Sequence, residues 1–218
     1  MNKNLYNVHP MNTVEKQDSV TLGILEAIEE NEDVTQRHLA NQLGVALGLT
    51  NSYLKRCARK GLIKIQQAPA NRYLYYLTPK GFTEKSRLSA KYLSASFSFY
   101  RKASKSFTSI FQQSTANGWN SLLLCGLSEL TEIAYLRAQE FDIDLIGIWE
   151  PNADIDAHLG LPVWKELREV EDYEASVLTC LENTNELYDI LLLTSKSERV
   201  FSPDILGLRT VNCRVIHN

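Results

Sequence analysis

The residues best equipped for chemistry lie in two short stretches of the chain. The first comprises Thr50, Asn51, Ser52, Lys55, Arg56 and Arg59, with Thr35 and Gln36 before it and Arg72 after it. Guanidinium and ammonium groups bind phosphate oxygens or the guanine edge in the major groove, where an Asn amide pairs with adenine. Lys55 and Arg59 are one helical turn apart, so they suit tracking of phosphates as well as reading of bases, and the sequence leaves both open. The second stretch is Gly126-Leu-Ser-Glu-Leu-Thr, with Glu150 at the end of the next apolar run. A glycine turn that leaves a strand and opens a helix cradles a pyrophosphate, and an acid about 20 residues further on binds a ribose hydroxyl. The full fingerprint wants glycines where this chain has Ser128 and Thr131. Gly126, Ser128 and Glu150 are the candidate ligand residues, and a dinucleotide or nucleotide-sugar is the candidate ligand. The alternative is a sheet that binds no ligand and serves as a dimerisation or partner surface.

Other chemistries find little support. Cys57, Cys125, Cys180 and Cys213 form no CxxC pair and sit among apolar neighbours, as buried thiols do. His9, His38, His158 and His217 lack metal-ligand spacing, so no metal is expected. The residue two after Ser128 is Leu130, which excludes a nucleophile elbow. No enzyme activity is expected. Nor is a secretory segment or an apolar run near 18 residues present, which predicts a cytoplasmic protein without a membrane span.

The net charge of −3 conceals a strong segregation. Residues 34–117 hold 14 Lys and Arg against the single acid Glu84, whereas residues 118–218 hold 7 basic and 18 acidic side chains. One part of the chain is built to meet a polyanion and the other to avoid one.

The elements that must position these residues follow from periodicity and punctuation. Residues 1–18 read as a flexible tail. Ser19 can cap a helix running to about Asn31, and Thr35 one over Gln36–Leu43 that Gly44 ends. A third helix spans about Leu47–Lys60 and stops at Gly61. Leu62–Gln66 and Tyr73–Thr78 read as strands, with Gln67–Arg72, including Pro69 and Asn71, as the turn. Helix, helix, helix, hairpin is the winged-helix order, here over residues 19–79. Leu39, Leu43, Val45, Thr50, Leu54, Cys57 and Leu62 fall where its core must be. Thr50 therefore belongs both to that core and to the candidate contact set.

Pro79 opens a further helix, expected as a linker over residues 80–117. Leu93, Phe97, Tyr100, Ser104, Phe107 and Phe111 recur on it as a heptad-like seam. Either a second chain or the rest of this chain covers that seam. Beyond Asn117–Gly118, Leu122–Cys125, Ile143–Trp149 and Ser176–Leu181 read as strands, and Ser128–Glu140 as a helix. A helix is expected near Trp164–Val170, and another over Asn185–Ser197 capped by Thr184. Strand–helix alternation implies a small parallel α/β sheet over residues 118–218. The fold class is thus α+β and multidomain: a winged helix-turn-helix, a long helix and a Rossmann-like unit.

The run Thr35-Gln-Arg-His-Leu-Ala-Asn-Gln-Leu-Gly-Val, then Leu49-Thr-Asn-Ser-Tyr-Leu-Lys-Arg, then Lys60-Gly-Leu-Ile and Tyr76-Leu-Thr-Pro-Lys-Gly, resembles the winged helix of MarR-type transcription regulators, above all the subgroup linked to exopolysaccharide gene clusters. Ala46 departs from the serine cap usual there, and the wing is short. Residues 124–151 and Leu161-Pro-Val-Trp resemble small Rossmann-type domains of sugar-modification proteins and redox-sensing repressors. These resemblances imply a homodimeric regulator of duplex DNA, with the third helix in the major groove, a small-molecule effector and a surface-polysaccharide operon as its target. The competing readings are an enzyme on a nucleotide-linked substrate with an accessory winged helix, and a winged-helix protein that serves assembly.

Overall fold

A computed structural model of the chain describes residues 13–69 and 72–208. The expectations for Asn71, His9, His217, Cys213 and most of the N-terminal tail lie outside them. The chain divides into two compact units, residues 1–97 and 98–218.

The first unit holds α1 (Thr13–Glu30), α2 (Gln36–Leu43), α3 (Leu47–Arg59), β1 (Ile63–Ala68), β2 (Arg72–Leu77) and the start of α4 (Pro79–Ala116). Helix α1 begins six residues before Ser19, so residues 13–18 are helical and not part of a tail. Ser19 lies inside α1 and does not cap it. The remaining boundaries have visible local causes. Thr35 accepts the His38 N–H at 3.1 Å and starts α2, and Gly44, with φ 61°, ends it. Ala46 offers α3 no side-chain cap. Gly61, with φ +70°, turns the chain out of α3 into β1. Thr78 then accepts the Gly81 N–H at 3.0 Å, and Pro79 takes the first position of α4, where its missing N–H costs nothing.

The core of this unit is one apolar cluster that includes Ile24, Leu25, Ile28, Leu39, Leu54, Cys57, Leu62, Tyr75 and Leu88. Strands β1 and β2 pair antiparallel, with Ile63 opposite Leu77 and Ala68 opposite Arg72. Lys85–Glu29 and Lys91–Asp18 ion pairs fasten the start of α4 to α1.

The second unit contains the later part of α4, then β3 (Ser121–Cys125), α5 (Glu129–Ala138), β4 (Asp144–Trp149), β5 (Ala157–His158), β6 (Leu161–Trp164), β7 (Ala175–Leu178), α6 (Thr184–Thr194) and β8 (Val200–Phe201). The expected helix near Trp164–Val170 is instead the end of β6 and a single 3-10 turn, Leu167–Glu169. Helix α6 is present, but Thr184 does not cap it: its hydroxyl reaches back to the Cys180 carbonyl, and Asn183 stands at the N-cap without a side-chain bond.

The six strands lie in the order β5-β6-β4-β3-β7-β8. All neighbours pair in parallel except β5, which is antiparallel to β6. The first strand, β3, is central, and the chain winds outward to β6 before crossing back to β7. This is the doubly wound, Rossmann-like order, with its switch point between β3 and β7. The fully buried Leu122–Cys125 and Ala175–Leu178 show why: a parallel sheet covered on both faces takes continuous apolar strands.

Helix α4 is continuous for 38 residues, but its apolar seam changes character along it. Leu93, Phe97 and Tyr100 are 52%, 59% and 39% exposed, whereas Phe107 and Phe111 are fully buried. Phe107 and Phe111 stack at 6.1 Å, and Phe111 meets Phe141 at 5.8 Å. The later half of the expected linker is therefore core of the second unit.

Candidate nucleic-acid interface

The geometry of α3 separates the residues that hold it from those it offers. Thr50, Leu54 and Cys57 are buried on one stripe. Ser52, Lys55, Arg56 and Arg59 are exposed, and at 3.6 residues per turn they project from the opposite side. Gly48 lies there too, and a Cβ added to it would meet nothing within 4 Å. Lys55 and Arg59 are exposed and have no ion pair among the described residues. Arg56 donates to Gln17 Oε1 at 3.0 Å and is partly engaged by α1. Ser52 donates to the Gly48 carbonyl at 2.9 Å.

One expected contact residue is corrected by this geometry, and a second is only partly presented. Thr50 is fully buried, and its hydroxyl is spent on the Ala46 carbonyl at 3.3 Å. It is a core residue. Asn51 is half-buried on the flank of the helix, with Oδ1 shut off from solvent and without a hydrogen-bond partner. In this rotamer it cannot offer adenine the paired amide.

The flanking residues lie on other elements. Thr35 is exposed but its hydroxyl oxygen caps α2. Gln36 donates to the Tyr75 hydroxyl at 3.0 Å, so it braces α2 against β2. The Tyr75 N–H also donates to the Glu32 carbonyl at 2.9 Å, which ties the wing to the α1–α2 turn. Arg72 begins β2 and pairs with Asp33 at 3.1 Å, both of them exposed. Sequence reading had missed four exposed apolar side chains near this surface: Leu47 and Leu49 at the start of α3, and Ile65 and Tyr73 on the hairpin. Apolar residues in an otherwise polar recognition surface suit thymine methyls. Their signal was legible only as residues left over once the core was filled.

Residues 17–64 match a family model described as winged helix-turn-helix DNA-binding. The first unit is a winged helix-turn-helix. Among solved structures, MepR, the transcription regulator of the Staphylococcus aureus multidrug efflux pump MepA, aligns at 23% identity over 38% of this chain and 61% of its own, with a TM-score of 0.33. The S. aureus MepR–DNA complex aligns at 22% identity over 38% and 60%, with a TM-score of 0.34. The zinc-responsive MarR family member ZitR of Lactococcus lactis aligns at 24% identity over 54% and 76%, also at 0.34. This chain spans about three fifths of the length of the two MepR structures. No curated protein is significantly similar in sequence. Beyond the winged helix, no described helix is long and apolar enough to cross a membrane.

In the second unit, Gly126, Ser128 and Glu150 do come together, at the carboxyl end of β3. Ser128 caps α5 and Thr131 answers it in a capping box. Glu150 Oε2 accepts the Leu127 N–H at 3.2 Å, and Oε1 the Asn152 N–H at 3.1 Å. Burial raises the Cys180 thiol above its ordinary range, and the nearby Glu150 charge adds to it. At the start of α6 an open depression of about 580 Å³ is lined by Leu181, Asn183–Glu186 and Leu206–Leu208.

Proposed function

We propose that the chain is a sequence-specific transcription regulator that binds duplex DNA as a homodimer, with α3 in the major groove. The observation that carries this reading is the outward stripe of α3, where Ser52, Lys55, Arg56 and Arg59 stand opposite the buried Thr50, Leu54 and Cys57. A helix with one face anchored and the other basic and exposed fits the groove and neutralises phosphate. Arg72 reaches the neighbouring backbone by exchanging Asp33 for phosphate. The exposed Leu93, Phe97 and Tyr100 lie at four- and three-residue steps on one face of α4 and supply the surface for a second copy. The acidic second unit stays off the DNA and responds to a small-molecule effector at the depression beside β7. The resemblances named above favour control of a surface-polysaccharide operon.

Selection of bound fragments from a random duplex library tests this. The expected product is a pseudo-palindromic motif with half-sites about 10 base pairs apart, or a multiple of that, because a two-fold dimer presents its recognition helices one turn apart. Absence of any enriched motif would refute sequence-specific binding, and a single unpaired half-site would refute the dimer.

A further inference from the structure

The Rossmann-like order of the second unit implies a dinucleotide on the β3–α5 turn, and the residues of that turn do not fit one. A pyrophosphate is held there by free backbone N–H groups at the start of the helix and by a glycine that lets the backbone come close. Here most of those N–H groups are already committed. Gly126 N–H donates to the Trp149 carbonyl at 2.9 Å and Leu127 N–H to Glu150 Oε2 at 3.2 Å. Ser128 N–H donates to Thr131 Oγ1 at 3.0 Å, Leu130 N–H to Ser128 Oγ at 3.1 Å, and Thr131 N–H to the Ser128 carbonyl at 2.9 Å. The hydroxyls are committed as well: Thr131 and Thr179 both donate to the Gly126 carbonyl, at 2.8 and 2.7 Å. Ser128 Oγ donates to the Thr179 carbonyl at 2.5 Å.

The glycine has an internal explanation too. Gly126 has φ +109°, and a Cβ there would lie 2.5 Å from the Cys180 backbone nitrogen. It is required by the approach of the chain leaving β7, with no ligand involved. Three carboxylates surround the helix start: Glu129 and Glu132 in its first turn and Glu150 on the loop. They satisfy the positive end of α5 and repel a further anion.

We infer that Glu150 is the resident anion of this turn, a positioning residue that holds the Leu127 and Asn152 N–H groups where a fingerprint-bearing sheet would hold phosphate, and that the second unit takes no dinucleotide there. An effector of this unit is therefore not recognised through a pyrophosphate on this turn. This rests on the regulator reading only in the word effector, because the state of the turn is independent of DNA.

The test is thermal unfolding of the full-length protein with pyrophosphate or NAD⁺, alongside Glu150→Ala and Glu150→Gln, with duplex binding measured in parallel. The wild type should show no shift in Tm with either probe. Glu150→Ala should melt roughly 2–4 °C lower, and pyrophosphate should restore most of that loss, because the vacated N–H groups accept it. Glu150→Gln still fills the position and should gain no pyrophosphate response. A Tm rise of wild type with either probe would overturn the inference. So would an Ala variant that melts like wild type and ignores pyrophosphate. If the Ala variant does not fold, the wild-type and Gln arms decide, since a response in either overturns it. Loss of duplex binding in the wild type would refute the regulator reading and leave this one standing.

Discussion

Lys55 and Arg59 carry charge that the fold does not use, and their neighbour Thr50 carries a hydroxyl that the fold uses entirely. Both facts predict DNA binding residue by residue. Lys55→Ala should weaken duplex binding and lower the slope of log affinity against log salt by about 1, the value for one phosphate contact. Thr50→Val should leave affinity within about twofold, since no part of Thr50 faces outward; anisotropy titrations across a salt series read both. The thiols allow a second prediction. Burial pushes the Cys57 thiol up to about 11 and raises those of Cys125 and Cys180 as well. All three should stay unlabelled by a thiol reagent at pH 8 in the native protein, as peptide mapping by mass spectrometry would show. Residue type was legible in the sequence here, but not in every case the face on which each residue lies. Thr50 fitted both core and contact sets because its period placed it inside while its chemistry suggested outside. Asn51 stands at the flank, where a rotation of one helical position decides how much of the amide is free. Gly126 and Ser128 matched a fingerprint by type, but their bonds and that of Leu127 with Thr179 and Glu150 are non-local and invisible to spacing.

At the scale of elements, α4 is the instructive case. Its seam was readable from Leu93 to Phe111, but periodicity reports only that a face is apolar, and not what covers it. The structure divides that face, with Phe107 and Phe111 inside the second unit and Leu93, Phe97 and Tyr100 open. Phe107→Ala should therefore destabilise the fold by about 3–5 kcal/mol in denaturant titrations. Phe97→Ser should leave helical circular dichroism unchanged but raise the monomer fraction in sedimentation; an intact dimer would move the interface elsewhere. The entry to α4 is equally constrained. A Cβ on Gly81 would lie 2.0 Å from the Leu62 carbonyl oxygen, so Gly81→Ala should cost roughly 1–3 kcal/mol and lower Tm. The helices, the hairpin and the parallel strands were legible because caps, glycines and apolar runs are local signals. The piece at Trp164–Val170 was misread, since its apolar residues pack beneath the sheet from a strand and a short turn. Such packing needs no helical period.

Over the whole molecule, charge divides the labour. The basic segment of residues 34–117 contains α3 and the hairpin, while the acidic remainder contains the sheet. On the proposed reading, long-range attraction to a polyanion acts on the winged helix and orients it on approach. Fluorescence anisotropy of the full-length protein on a labelled duplex from upstream of its own gene, against a scrambled duplex and across a salt series, addresses the central claim directly. The account predicts tighter binding to the native duplex, affinity that falls steeply with salt, and a log–log slope smaller by about 2 for the Lys55→Ala/Arg59→Ala double variant. No binding to either duplex at low salt, or a double variant indistinguishable from wild type, would contradict it.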